Sequence, residues 1–288
     1  MIEARASELR LLRLRTHPAV TIQRARSVRP RDALFNVRKG IRKLRGKPTL
    51  PWFDFNGQAL DPSERHRLLK ESRTPLAQLF YQHEGRTAHK WIHYLDIYET
   101  HFARYRGTDV HMLEIGVQMG GSLELWRKYF GEKAVIYGVD IDPKCADRVS
   151  EPNQVRIGSQ GDRAFLKSVA AEMGSLDIIL DDGSHIASHQ RITFDTLFPL
   201  LKEGGLFVIE DIHSSYWPGL QEGGYRRRGT AVELVKRMID DMHAWYHGHR
   251  TSTPAKTQIS GIHIYDSMVF IEKGKRSAPQ HIKITGTN

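Results

Sequence analysis

Two pairs of adjacent carboxylates stand where apolar runs end. Asp181 and Asp182 follow "IIL", and Glu210 and Asp211 follow "LFVI". Acids delivered by buried strands are costly unless a cation sits beside them. Oxygen donors with no cysteine among them suit magnesium, manganese or calcium better than zinc. The first pair continues as "IILDDGSHIASH", so His185 lies three residues after Asp182 across a Gly-Ser turn. A neutral imidazole with a pKa of about 6.5 can take a proton from a hydroxyl made more acidic by a metal. One acid of the first pair could instead cap a helix starting near Ser184, which would explain one carboxylate and neither pair as a whole. His185 and His189 also form an H-x-x-x-H pair that could ligate zinc, but no third nitrogen or sulfur ligand is evident.

Three further acids end other strand-like runs. "LEIGVQMGGS" offers Glu114 before Gly116, "GVDID" offers Asp140, and "GSQGD" offers Asp162. The first is neither a G-x-G-x-x-G turn nor a P-loop. Glu114 suits a cationic amine, and Gly116 allows close backbone approach. Asp140 can accept both hydroxyls of a ribose, and Asp162 could accept from an adenine amino group. Gly120, Gly121 and Ser122 could receive a carboxylate on helix N-terminal N–H groups. A nucleoside with a cationic tail and no pyrophosphate is S-adenosylmethionine (SAM). Each acid alone reads equally as a turn or cap residue; the order of the three carries the inference.

The elements that must hold these groups alternate regularly from about residue 88. Strand-like "VHMLEIGV", "AVIYGVDID", "QVRIGSQGD", "LDIILDD" and "GGLFVIED" are separated by helical runs, and "SGIHIYDSMVFIEK" reads as two strands joined tightly at Asp266-Ser267. This predicts an α/β fold, a mostly parallel sheet covered on both faces with an antiparallel strand near one edge. Ligands then bind at the carboxyl ends of the strands. Residues 1–80 read as a basic, proline-interrupted extension and 81–288 as the main domain.

The excess charge is confined to the start. Residues 1–50 hold 14 Lys/Arg against 3 Asp/Glu, leaving 29 bases and 30 acids for the rest of a chain whose net charge is +10. Such an arm could contact nucleic acid, an anionic membrane surface or another subunit of a homo-oligomer. Helical spacing without interleaved aromatics makes nucleic acid the weaker expectation. No run of about 18 apolar residues predicts a membrane span, and no signal-peptide core is expected after Met1. The single cysteine, Cys145, excludes an intramolecular disulfide and fits a cytoplasmic setting.

The stretch from about 88 to 272 resembles class I SAM-dependent methyltransferases. More narrowly it is similar to the metal-dependent sugar O-methyltransferases of macrolides and related glycosides, a family related to the proteins named cephalosporin hydroxylases. The resemblance rests on "HKWIHYLDIYETHF", "LEIGV…GGSLELW", "GVDID", "SQGD", "DIILDDGSHIASHQ" and "GGLFVIEDIHSSYWPG". It implies a Rossmann-like sheet with an antiparallel last strand, SAM as donor and a divalent ion, usually magnesium. It also implies Asp182, Glu210 and Asp211 as metal ligands, Asp181 turned inward, and His185 as the base. The segment "HSSYWPGLQEGGYRRRG" would then be a lid, with Tyr216 and Trp217 stacking on a sugar. The turn after LEIG is shorter than in many macrolide enzymes, which leaves the acceptor open among macrolide, glycolipid and polysaccharide sugars. A phenolic acceptor, or a non-catalytic nucleotide- or nucleic-acid-binding role, is the alternative.

Overall fold

The computed structural model describes residues 59–218 and 222–286, which belong to one compact unit spanning Trp52–Asn288. The basic segment 1–50 and the roles expected of it lie outside the described residues. The alternating runs become seven strands: β1 His111–Ile115, β2 Val135–Asp140, β3 Gln154–Ile157, β4 Ile178–Asp181, β5 Leu206–Ile209, β6 Ile259–Ile264 and β7 Val269–Lys273. They form one sheet in the order β3-β2-β1-β4-β5-β7-β6. The first five are parallel, and β7 is antiparallel to both β5 and β6. The antiparallel strand lies one position in from the edge. The reason is burial: "VFI" of β7 is fully enclosed, whereas β6 is largely half-buried or exposed and tolerates the outer position.

Seven helices matter for the site: α1 Pro62–Glu71, α2 Pro75–Gln82, α3 Tyr94–Phe102, α4 Gly121–Phe130, α5 Arg163–Met173, α6 Ala187–Leu197 and α7 Ala231–Met242. Successive strand residues point to opposite faces. Met112, Leu180 and Val208 therefore pack with Tyr98 and Trp126 of α3 and α4. Leu113, Ile179 and Phe207 pack with Leu166, Phe194 and Leu234 of α5, α6 and α7. Trp126 has no exposed surface, so its truncation to alanine should cost about 3–5 kcal/mol.

Pro62 and Pro75 start helices rather than interrupt them. A first-turn proline lacks only an N–H that the helix does not use. Asp61 caps α1 by accepting from the Ser63 and Glu64 N–H groups, and Thr74 caps α2 by accepting from Ala77. Leu76 of α2 is buried in the same apolar layer as Tyr94 and Tyr98, and its N–H donates to Glu99 Oε2 at 3.0 Å. The expected boundary at residue 80 therefore falls within packed structure.

The chain steps outward from β1 to β2 and β3 on one side, and from β4 to β5 on the other. The crevice between β1 and β4 is the switch point where a doubly wound sheet binds ligands.

Candidate active site

A cavity of about 440 Å³ opens there, lined by Lys90, Gly116, Ser122, Asp140, Asp182, His185, Glu210 and Asp211 among others. Ladder bonds continue past the strand ends and fix the acids: Asp182 N–H donates to Ile115 O at 2.9 Å and Glu210 N–H to Asp181 O at 3.0 Å. Gly116 lies in the left-handed region at φ +98°, and a Cβ there would meet Asp182 O at 2.2 Å. Its smallness serves the approach of this turn to the Asp182 backbone.

The two acid pairs divide by face. Asp181 is buried and accepts from Gln160 Nε2 at 2.9 Å, away from the cavity lining, as an inward role requires. Neither Asp181 nor Asp182 caps α6, whose N-cap, Ile186, makes no side-chain cap bond. Glu210 follows the parity of Val208, and Glu114 that of Met112, so both emerge on the α3–α4 face. A cation meets them there. Lys90 Nζ lies 2.6 Å from Asp182 Oδ2, 2.7 Å from Glu210 Oε1 and 3.7 Å from Glu114 Oε1, with its side chain only 2% exposed. Burial opposes the ammonium, but the three carboxylates outweigh it and hold the lysine charged. Burial pushes Glu114 and Glu210 up to about 7 even beside this lysine.

On the other side, Asp211 takes a left-handed conformation at φ 51°. Its Oδ1 accepts from Tyr94 Oη at 2.6 Å and Trp91 Nε1 at 3.1 Å. Each of Asp182 and Asp211 thus has one oxygen tied by a protein donor and one turned to His185: Nε2 stands 4.0 Å from Asp182 Oδ1 and 3.7 Å from Asp211 Oδ2. His185 is itself left-handed, at φ 53°, a conformation that non-glycine residues adopt mainly where surrounding structure enforces it. One ligand atom from each of Asp182, His185 and Asp211 lies within 4.8 Å of the others, a separation at which one small cation can bridge them. The two carboxylate oxygens suit a hard divalent ion, with the imidazole nitrogen standing beside them.

At the β2 end, Asp140 accepts from the N–H groups of Val117, Gln118 and Asp142 at 2.9–3.0 Å. Burial raises its pKa, but these three donors outweigh it and hold the carboxyl below its usual range.

With this geometry in place, the sequence match is decisive: residues 113–212 fit a family described as a methyltransferase domain. This region is similar to the methyltransferase domains of that family. Two curated relatives from Streptomyces olivaceus extend the match. An 8-demethyl-8-alpha-L-rhamnosyl tetracenomycin-C 2'-O-methyltransferase is 38% identical over 65% of this chain and 52% of its own. The corresponding 3'-O-methyltransferase, which by name acts on the 2-methoxy-rhamnosyl compound, is 37% identical over 70% of this chain and 54% of its own. The chain therefore spans about half the length of these relatives. Among solved structures, the MycE methyltransferase of the mycinamycin pathway, in complex with Mg, SAH and mycinamycin VI, is 32% identical with a TM-score of 0.63. That alignment covers 75% of this chain and 62% of MycE.

Not every expected residue enters the domain's cavity. Glu114 is fully buried beneath it, its Oε2 accepting from Ser122 Oγ at 2.9 Å, so it meets the cavity through Ser122 and Lys90. Asp162 is outside the lining; its Oδ1 caps α5 by accepting from Ala164 N–H at 2.8 Å and Phe165 N–H at 3.2 Å. The preceding Ser159 and Gln160 line the cavity instead. The H-x-x-x-H pair does not assemble, because His185 precedes α6 in a left-handed turn and His189 Nδ1 bonds Ser184 Oγ at 2.9 Å. Tyr216 and Trp217 separate: exposed Tyr216 stacks on Tyr225 with centroids 6.3 Å apart, while Trp217 packs edge-on to His213. Lys90, Tyr94 and the cavity-lining Ile141, which is 73% exposed, were not anticipated. The only signal was "HKW", a lysine beside a tryptophan shortly before the start of α3. No helix among the described residues is long and apolar enough to cross a membrane.

Proposed function

We propose that this protein transfers the methyl group of SAM to a sugar hydroxyl of a glycoside, with a divalent cation, magnesium or manganese, at Asp182, Glu210 and Asp211. The observation that carries the reading is one cavity with ribose-type acceptors at Asp140 and the oxygens Asp182 Oδ1 and Asp211 Oδ2 gathered beside His185 Nε2. The printed names of the relatives, sugar O-methyltransferases of glycosylated polyketides, support the acceptor class.

The donor's methyl would be delivered from the β1–β2 side. Asp140 would accept from the ribose hydroxyls with the oxygen sites its three backbone donors leave open. Exposed Ile141 offers an apolar face to a purine. Gly116 and Ser122 bound the space for the amino-acid tail, and Glu114 supplies negative charge beneath it.

A bound divalent ion would supply Lewis acidity, lowering the pKa of the acceptor hydroxyl. The oxygens Asp182 Oδ1 and Asp211 Oδ2 face the position it would take. Glu210 joins this set if its carboxylate is shared with Lys90, and the Glu210→Gln variant separates that role from simple charge pairing. His185 Nε2, held beside both oxygens, would take the proton as the acceptor oxygen attacks the methyl carbon and the sulfonium S–CH3 bond breaks, its electron pair returning to sulfur as S-adenosylhomocysteine (SAH) leaves. Tyr94 and Trp91 keep Asp211 oriented during this step. Holding donor and acceptor in line contributes much of the acceleration.

The deciding assay offers a panel of glycosides and phenols with SAM, with and without EDTA, and identifies products by mass spectrometry. Metal-dependent methylation of a sugar hydroxyl is expected. Methylation of phenols alone would overturn the acceptor, and failure to bind SAH would overturn the donor.

A further inference from the structure

A second group of ligating side chains lies outside the cavity, at the sheet edge formed by β6 and β7. His101 comes from α3, His263 from β6 and Glu272 from β7. One ligand atom from each lies within 4.8 Å of the others. His263 Nε2 and Glu272 Oε1 are 3.2 Å apart. Two donors at the roughly 2.0–2.1 Å bond lengths of a tetrahedral zinc site are about 3.4 Å apart, so this pair already has the required separation.

His101 is the fixed member. Its ring stacks on Phe270 with centroids 4.1 Å apart and planes at 17°, and its Nε2 lies 2.9 Å from Tyr265 Oη. A partner oxygen on one ring nitrogen is the arrangement that orients a ligating histidine. The ring centroids of His101 and His263 are 4.8 Å apart. The side chains of His263 and Glu272 are 41% and 32% exposed, so small torsional adjustments can close the remaining distance, up to about 1.4 Å.

We propose that His101, His263 and Glu272 form a site for zinc or a similar borderline transition-metal ion, with water in the fourth position. Two imidazoles and one carboxylate favour such an ion over magnesium, in contrast to the carboxylate-rich cluster at Asp182. Bound there, the ion ties α3 to β6 and β7 and clamps β6, the outermost strand among the described residues. The site is independent of methyl transfer and of the cavity.

The test uses the full-length, metal-free, untagged protein in excess magnesium, titrated with cobalt(II). A visible ligand-field absorption of tetrahedral type, saturating at one equivalent and displaced by zinc, is expected. His263→Ala, at a half-exposed position compatible with folding, should lose it while keeping the wild-type circular dichroism. Glu272→Gln should weaken cobalt binding about ten-fold or more. His185→Ala should leave the absorption unchanged. Absence of a saturable absorption in the wild type would overturn the proposal. So would its persistence in His263→Ala, or its loss in His185→Ala, which would assign the absorption to the cavity.

Discussion

Lys90 Nζ lies 2.7 Å from Glu210 Oε1, and this contact explains how a strand-end glutamate can be buried. The same ammonium holds Asp182 and stands near Glu114. Replacing Lys90 with methionine keeps the apolar stem and removes the charge, leaving Glu114 and Glu210 buried without a counter-ion. Breaking a buried pair in this way typically costs about 3–5 kcal/mol. Urea unfolding of Lys90→Met should show a loss of that order; a loss below about 1 kcal/mol would mean that the carboxylates do not depend on the lysine.

Asp162 separates capping from donor binding. Its carboxylate accepts from two N–H groups of α5, so Asp162→Ala should lower stability by about 0.5–2 kcal/mol, and Asp162→Ser should recover most of it. SAH affinity by calorimetry should be the same in all three proteins. A tenfold weaker affinity in Asp162→Ala with unchanged stability would restore the carboxylate to the donor pocket.

The contrast between Asp162 and Asp140 shows how far the sequence could be read. Both follow strand-like runs, and both types serve as ribose or adenine acceptors or as caps. Only the helix start at the next residue, Arg163, decides between those uses, and element boundaries are the least legible feature of a single sequence. The sheet was legible because short apolar runs, buried on both faces, alternate with helical runs over many residues. His185 and the two acid pairs were legible because carboxylates at the end of "IIL" and "LFVI" conflict with burial. Lys90 was not, since it answers those acids from about 90 and 120 positions earlier in the chain, and only its place beside Trp91 marks it locally. Pro62 and Pro75 misled because proline both breaks helices and begins them.

Asp140 has two duties that should fail together. Asp140→Ala should weaken SAH binding by about 1–3 kcal/mol and also lower the melting temperature, because the N–H groups of Val117, Gln118 and Asp142 lose their acceptor. The folded pKa lies below the usual value, so the stabilisation is full above about pH 4 and is lost as the pH falls through the folded pKa. The difference in melting temperature between wild type and Asp140→Ala should therefore shrink only in that acid range. A constant difference down to pH 2 would show that the carboxylate's charge is not what holds the turn.

The cation and the base can be told apart by combining binding and rate. Asp182→Ala and Asp211→Ala each remove one of the oxygens that face His185, so calorimetry should show magnesium affinity falling in both. SAH affinity should stay near wild type, since Gly116, Ser122 and Asp140 lie on other strand ends. EDTA should abolish transfer and added magnesium should restore it. His185→Ala should retain SAH and lose about 10²–10⁴-fold in rate. That deficit should narrow as pH rises and hydroxide takes over the proton. If His185 is instead chiefly a ligand, His185→Ala will lose magnesium affinity as well, and saturating metal will rescue the rate where high pH does not. A wild type indifferent to EDTA would remove the cation from the scheme and leave Lys90 as the counter-charge of Asp182 and Glu210.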